Sequence, residues 1–128
     1  MAAITTFEEI LAWQKARILT KNLYGTTSSV AFRADLALRD QMRRAAVSVM
    51  SNIAEGFDRN GDRQFIQFLR IAKGSAGEIR AQLYVALDSG ILGLKEFEKL
   101  SGQAAEVGRL LGGFIKYLQQ KRSEKVNE

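Results

Sequence analysis

A chain of 128 residues has room for one hydrophobic core but not two, and 46% apolar with 26% charged residues is the composition of an ordinary folded domain. Cysteine and histidine are both absent, which excludes disulfides, thiolate or imidazole metal sites, Ser-His-Asp catalysis and the Glu-x-x-His di-iron centres of ferritin-like bundles. Nineteen Lys and Arg against fourteen Asp and Glu leave a formal net charge of +5, a surplus that favours polyanions as partners.

No signal-type apolar segment opens the chain and no run of about 18 apolar residues occurs, so a cytoplasmic protein without membrane contact is expected. No Gly-x-Gly-x-x-Gly follows a strand-like run and no P-loop is present, so neither a cofactor nor a resident metal is expected. The chemistry left to carboxylate, Lys, Arg, Tyr and hydroxyl groups is thin for an enzyme, and a noncatalytic protein is the expectation.

Proline is also absent, and the apolar residues repeat with a helical period, nowhere alternating long enough for a strand. Four helices are predicted. The first opens at "TFEE", where Thr6 and Glu9 have capping-box spacing, and runs through "ILAWQKARILTKNLY" to the turn-prone "GTTSS" from Gly25. The second covers Asp35 to Phe57, with Asp35 as N-cap and Gly56 letting the helix end. Met42, Ala45, Ala46, Val49, Ile53 and Phe57 form its buried face. Val47, Met50 and Ala54 widen the apolar arc to about 200° at 100° per residue, more than sister helices need, which implies a second buried side against another subunit.

The third helix spans Asp62 to Ser89, with Phe65, Phe68, Leu69, Ala72, Ala76, Ile79, Leu83, Ala86 and Leu87 inward and Gly90 as the stop. In the fourth, Phe97, Leu100, Ala104, Val107, Leu111, Phe114 and Leu118 alternate steps of three and four, the knobs-into-holes pattern. Gly108 and Gly112, one turn apart, predict the close approach of another backbone. Residues 1–120 thus read as one all-α, up-and-down four-helix bundle, and residues 121–128, "KRSEKVNE", as a charged tail that frays.

Two polar patterns interrupt the apolar ones. Arg44, Ser48, Asn52, Glu55 and Arg59 lie at steps of four, four, three and four along helix two, and Ser75, Glu78 and Gln82 form a similar stripe on helix three. Facing each other they make a structural network that fixes register, since an unpaired buried polar group costs about 1–3 kcal/mol. The alternatives are a Glu55/Glu78 carboxylate pair for acid–base work or a hard cation, and ligand or partner recognition. The second pattern is basic: Arg63, Arg70, Lys73 and Arg80, at steps of seven, three and seven, lie away from the apolar side of helix three. They are the candidate nucleic-acid-binding residues, and a solvated face of Lys and Arg stems is the plainer alternative. Trp13, beside Ile10, Ala16 and Leu23, reads as core or subunit interface, one ring being too few for a base-stacking groove.

"FEEILAWQKA" (7–16), "QMRRAAVSVMSNIAEGFDR" (41–59), "FIQFLRIAKGSAGEIRAQLYVALDSG" (65–90) and "EVGRLLGGFIKYL" (106–118) together resemble the bacterial four-helix-bundle proteins encoded in intervening sequences of 23S ribosomal RNA genes. That resemblance implies a ring-like homopentamer without established enzymatic activity. It also implies a more distant likeness in fold to the accessory proteins of diversity-generating retroelements, basic barrels associated with nucleic acid and a reverse transcriptase. Two departures stand out: Met50 where the family usually has proline before Ser-Asn-Ile-Ala-Glu-Gly, and "SVAFRADLAL" in place of its aromatic and proline loop. The expected function is a noncatalytic homo-oligomer that binds RNA or DNA through basic faces; the alternative is a scaffold for another protein.

Overall fold

The computed structural model describes residues 3–127, which form four helices: α1 (Leu11–Thr27), α2 (Leu36–Phe57), α3 (Asp62–Asp88) and α4 (Leu94–Asn127). Each packs on its two neighbours in an up-and-down square, with α2/α3 and α3/α4 the most extensive seams. The helical backbone of α4 carries on through the charged segment from residue 121.

The N-terminus departs from expectation. Phe7–Glu9 is a 3₁₀ turn whose N-cap, Thr6, makes no side-chain bond. The Glu9 carboxylate instead accepts from the Thr5 backbone N–H at 3.1 Å and the Thr5 hydroxyl at 2.7 Å. The reason lies at Ile10, which is buried at 2% exposure and takes an extended conformation to reach the core, so α1 begins only after it. The Thr5 hydroxyl, and secondarily its amide, hold the Glu9 carboxyl below its ordinary pKa. A lowered carboxyl stabilises the fold above its unfolded pKa and loses that effect as pH falls through the folded value.

The ends of α2 and α3 follow local chemistry. Asp35 Oδ1 accepts the Leu38 N–H at 2.9 Å, closing one free amide at the start of α2. Asp35→Ala is expected to lower stability by about 1 kcal/mol, read from urea denaturation at fixed protein concentration; an unchanged midpoint would remove the cap from the account. At the far end of α3, Gly90 takes φ +75°, the Ile91 N–H reaches the Ala86 carbonyl at 3.0 Å, and the Gly90 N–H reaches Leu87 at 3.1 Å. This is a Schellman closure, which a side-chain-bearing residue adopts at a steric cost.

Inside the square most of the predicted faces are buried, with Phe57, Phe68 and Leu87 only half-buried at their edges. Phe65, Leu69, Ala72, Ala76, Ile79, Leu83 and Ala86 of α3 meet Met42, Ala45, Ala46, Val49 and Ile53 of α2. In α4, however, Ile115 enters the core and Phe114 stays half-buried, because a straight helix drifts off a strict seven-residue repeat. The Phe114 ring packs edge-on against Phe65 at 5.3 Å. The variant loop forms a 3₁₀ turn over Val30–Ala34, pinned by Phe32 at 1% exposure. Trp13 is half-buried against the core, edge-on to Phe7 at 5.1 Å.

The roles of the glycines change. Gly56 does not simply end α2: it is buried, and a Cβ there would stand 2.6 Å from Phe68 Cβ and 3.0 Å from Phe65 Cδ1. It is the contact that lets α2 and α3 close. Gly108, by contrast, has nothing within 4 Å of an added Cβ, and Gly112 meets only the end of the Lys73 side chain at 3.5 Å. Within this chain no backbone closes on either of them.

Candidate nucleic-acid interface

The polar stripes come together in part. Ser48 Oγ lies 2.9 Å from Ser75 Oγ across the α2/α3 seam, and Asn52 Nδ2 donates to the Ser48 carbonyl at 2.8 Å and to its hydroxyl at 3.0 Å. The other members stand apart. Glu55 pairs with Arg59 on its own helix at 2.7 Å, both exposed, while Arg44 and Glu78 are exposed without a side-chain hydrogen bond. Gln82 Oε1 is buried without a hydrogen-bond partner. Among the described residues no three carboxylates gather as metal ligands. The Glu55/Glu78 pair therefore has neither the burial nor the neighbours that acid–base chemistry requires.

The basic stripe fares differently. Arg70, Lys73 and Arg80 of α3 line two adjoining hollows of about 600 and 570 Å³ along the α3/α4 seam, and Arg109 and Lys116 of α4 stand on the opposite wall. Arg63, on the first turn of α3, is exposed and lines neither. Among the described residues no carboxylate lines the hollows and none of these five cations is in an ion pair. Sequence reasoning confined to one helix missed the α4 half. Its signal was present: Arg109 and Lys116 are seven residues apart, as are Lys73 and Arg80.

Glycine lines the groove. Gly74 and Gly77 of α3 and Gly108, Gly112 and Gly113 of α4 are all helix-interior positions in its lining. Apart from Gly112, none has an atom within 4 Å of an added Cβ. Glycine in a helix costs about 1 kcal/mol relative to alanine, and here nothing inside the chain offsets that by close packing. The result is a cationic channel lined otherwise mainly by glycines, small residues such as Ala76 and Ala104, and Ile115.

Among the described residues, these features define an all-helical bundle with a cationic groove along the α3/α4 seam and no gathered metal-ligand set. The chain belongs to the family of 23S rRNA-intervening sequence proteins, whose family model matches residues 8–113. Its fold is similar to the crystal structure of a protein of unknown function from the S23 ribosomal protein family of Bacteroides thetaiotaomicron. The TM-score is 0.77 at 20% identity, covering 83% of this chain and 96% of that one. Comparison with curated proteins gives no match. Among the described residues no helix is long and apolar enough to cross a membrane.

Proposed function

We propose that the protein is a noncatalytic homo-oligomer, a pentamer by the family resemblance, that binds RNA or DNA electrostatically in the cytoplasm. The observation that carries the reading is the α3/α4 groove: five cations on two walls with no carboxylate between them. In a structural surface, exposed cations are normally interspersed with acids, and an unneutralised row raises the local potential that draws in phosphates. Assembly multiplies the effect, because each copy brings a formal net charge of +5. Assembly itself is supported by apolar side chains left open on α2 and α3, where Val47, Ile71 and Val85 remain 42%, 54% and 49% exposed. The wide apolar arc of α2 is thus covered on its inner side only, and a second copy is the occupant proposed for the outer one.

The test is fluorescence anisotropy of labelled structured RNA and duplex DNA titrated with the purified oligomer across salt concentrations. Submicromolar binding that weakens steeply with salt is expected. Replacing Arg63, Arg70, Lys73 and Arg80 with Gln is expected to abolish it, with the oligomer intact by light scattering and with Arg63→Gln alone having the smallest effect. Unchanged affinity in the fourfold variant would remove this surface from the reading. No binding by an intact oligomer at low salt would leave a solvated groove and favour the protein scaffold, whose partner capture survives nuclease treatment.

A further inference from the structure

We infer that the α3/α4 groove seats the sugar–phosphate ridge of one strand of a duplex, recognised by charge and shape without reference to base sequence. This rests on the polyanion reading above and specifies its ligand. Arg70 and Arg80 stand on the α3 wall, Arg109 and Lys116 on the α4 wall, and the Lys73 ammonium reaches across to Gly112 between them. At 1.5 Å per residue, Arg70 to Arg80 spans about 15 Å and Arg109 to Lys116 about 10 Å. A duplex strand advances about 3.4 Å along the duplex axis per phosphate and roughly twice that along its own ridge, so the channel matches a run of roughly three phosphates. A single small anion uses one end of such a channel; a regular polyanionic ridge uses all of it.

What the groove lacks selects paired over unpaired strands. Proteins that hold single strands stack bases on aromatic rings, and no aromatic residue lines either hollow. The exposed tyrosines of α3 and α4 are engaged elsewhere, Tyr84 edge-on to Phe97 at 4.8 Å and Tyr117 tilted against Phe114 at 6.3 Å. Reading adenine or cytosine edges takes amides or carboxylates, and Gln119 is the one amide in the lining. With Gly77 and Gly108 open to beyond 4 Å, the ridge can descend between the cationic walls to the helix backbone.

The experiment measures anisotropy of labelled 20-base-pair duplex RNA, duplex DNA and single strands of the same sequences with the full-length oligomer. Duplex binding is expected to fall with salt at a log–log slope of about −3, from about 0.9 per phosphate contacted, to be insensitive to sequence, and to exceed single-strand binding at least tenfold. The relative affinities of the RNA and DNA arms identify which duplex is preferred. The decisive variant, Gly77→Leu with Gly108→Leu, keeps all five cations and fills the open space at two lining positions; Gly108→Leu alone serves if the double variant does not fold, as judged by circular dichroism. At least a tenfold loss of duplex binding is expected. Parent-like affinity in the filled variant, with loss in the Arg70→Gln/Lys73→Gln/Arg80→Gln variant, would overturn the seated ridge and leave the polyanion reading standing. Parent-like affinity in both would overturn the two together. Single strands binding as tightly as duplexes, or filling that alters the oligomer and spares binding, would each assign the groove another occupant and overturn the inference.

Discussion

Gly56→Ala is expected to cost about 2 kcal/mol of stability, whereas Gly77→Ala is expected to add up to about 1 kcal/mol. Both substitutions insert one methyl group into a helix and remove the same backbone freedom from the unfolded chain. Their surroundings differ. At Gly56 the new methyl falls 2.6 Å from Phe68 Cβ, an atom fixed to the α3 backbone, and 3.0 Å from the Phe65 ring. Neither a rotamer change at Phe68 nor one at Phe65 moves that Cβ, so α2 and α3 must separate locally. Separation loosens the Phe57–Phe65–Phe114 aromatic chain at this end of the bundle. At Gly77 nothing lies within 4 Å, and only the gain in helix propensity remains. Urea midpoints at one protein concentration compare the pair, concentration being fixed because the proposed assembly would add to apparent stability. A Gly56→Ala protein as stable as the parent would show that the seam is slack and that Gly56 has no packing role.

The same residue shows how far the sequence reaches. Spacing disclosed the buried faces of α2 and α3 because core contact imposes a period, and Asp35 and Gly90 marked helix ends because each satisfies free backbone groups locally. Gly56 was misread for the complementary reason: whether a glycine stops a helix or admits a neighbour depends on what stands opposite, and Phe68 is twelve residues away. Thr5 rather than Thr6 holds Glu9 because burying Ile10 delays α1, a tertiary demand on a local motif. The cationic groove was half legible. Arg70, Lys73 and Arg80 share one helix and follow from periodicity, whereas Arg109 and Lys116 join them only once α4 lies beside α3. The polar stripes were legible as stripes but not as contacts, so Ser48, Asn52 and Ser75 are linked while Glu55 turns to Arg59.

Arg43, next to the stripe residue Arg44 but turned toward α1, supplies the other large expected effect. Its Nε donates to Thr27 Oγ1 at 2.9 Å, its Nη2 donates to Ser28 Oγ at 3.0 Å and to the Tyr24 carbonyl at 3.3 Å, and the guanidinium lies 4.6 Å over the Tyr24 ring. One side chain of α2 thereby binds the last turn of α1, where carbonyls lack helical partners and a cation is favoured by the helix dipole. Thr27 is 1% exposed, and its hydroxyl already donates to the Leu23 carbonyl at 2.8 Å. Removing Arg43 leaves that oxygen without the donor that satisfies it in a dry site. Arg43→Ala is expected to cost about 2 kcal/mol, within the range for hydrogen bonds to charged groups. Arg43→Lys is expected to recover little, because an ammonium keeps the charge but cannot reach several acceptors as a planar fork or stack on the ring. A double-mutant cycle with Thr27→Val isolates the pair: the cost of Arg43→Ala shrinks in the valine background if the buried hydroxyl is what it serves. Full recovery by lysine, or equal costs in both backgrounds, would reassign Arg43 to general charge at the helix end and leave Thr27 out of the account.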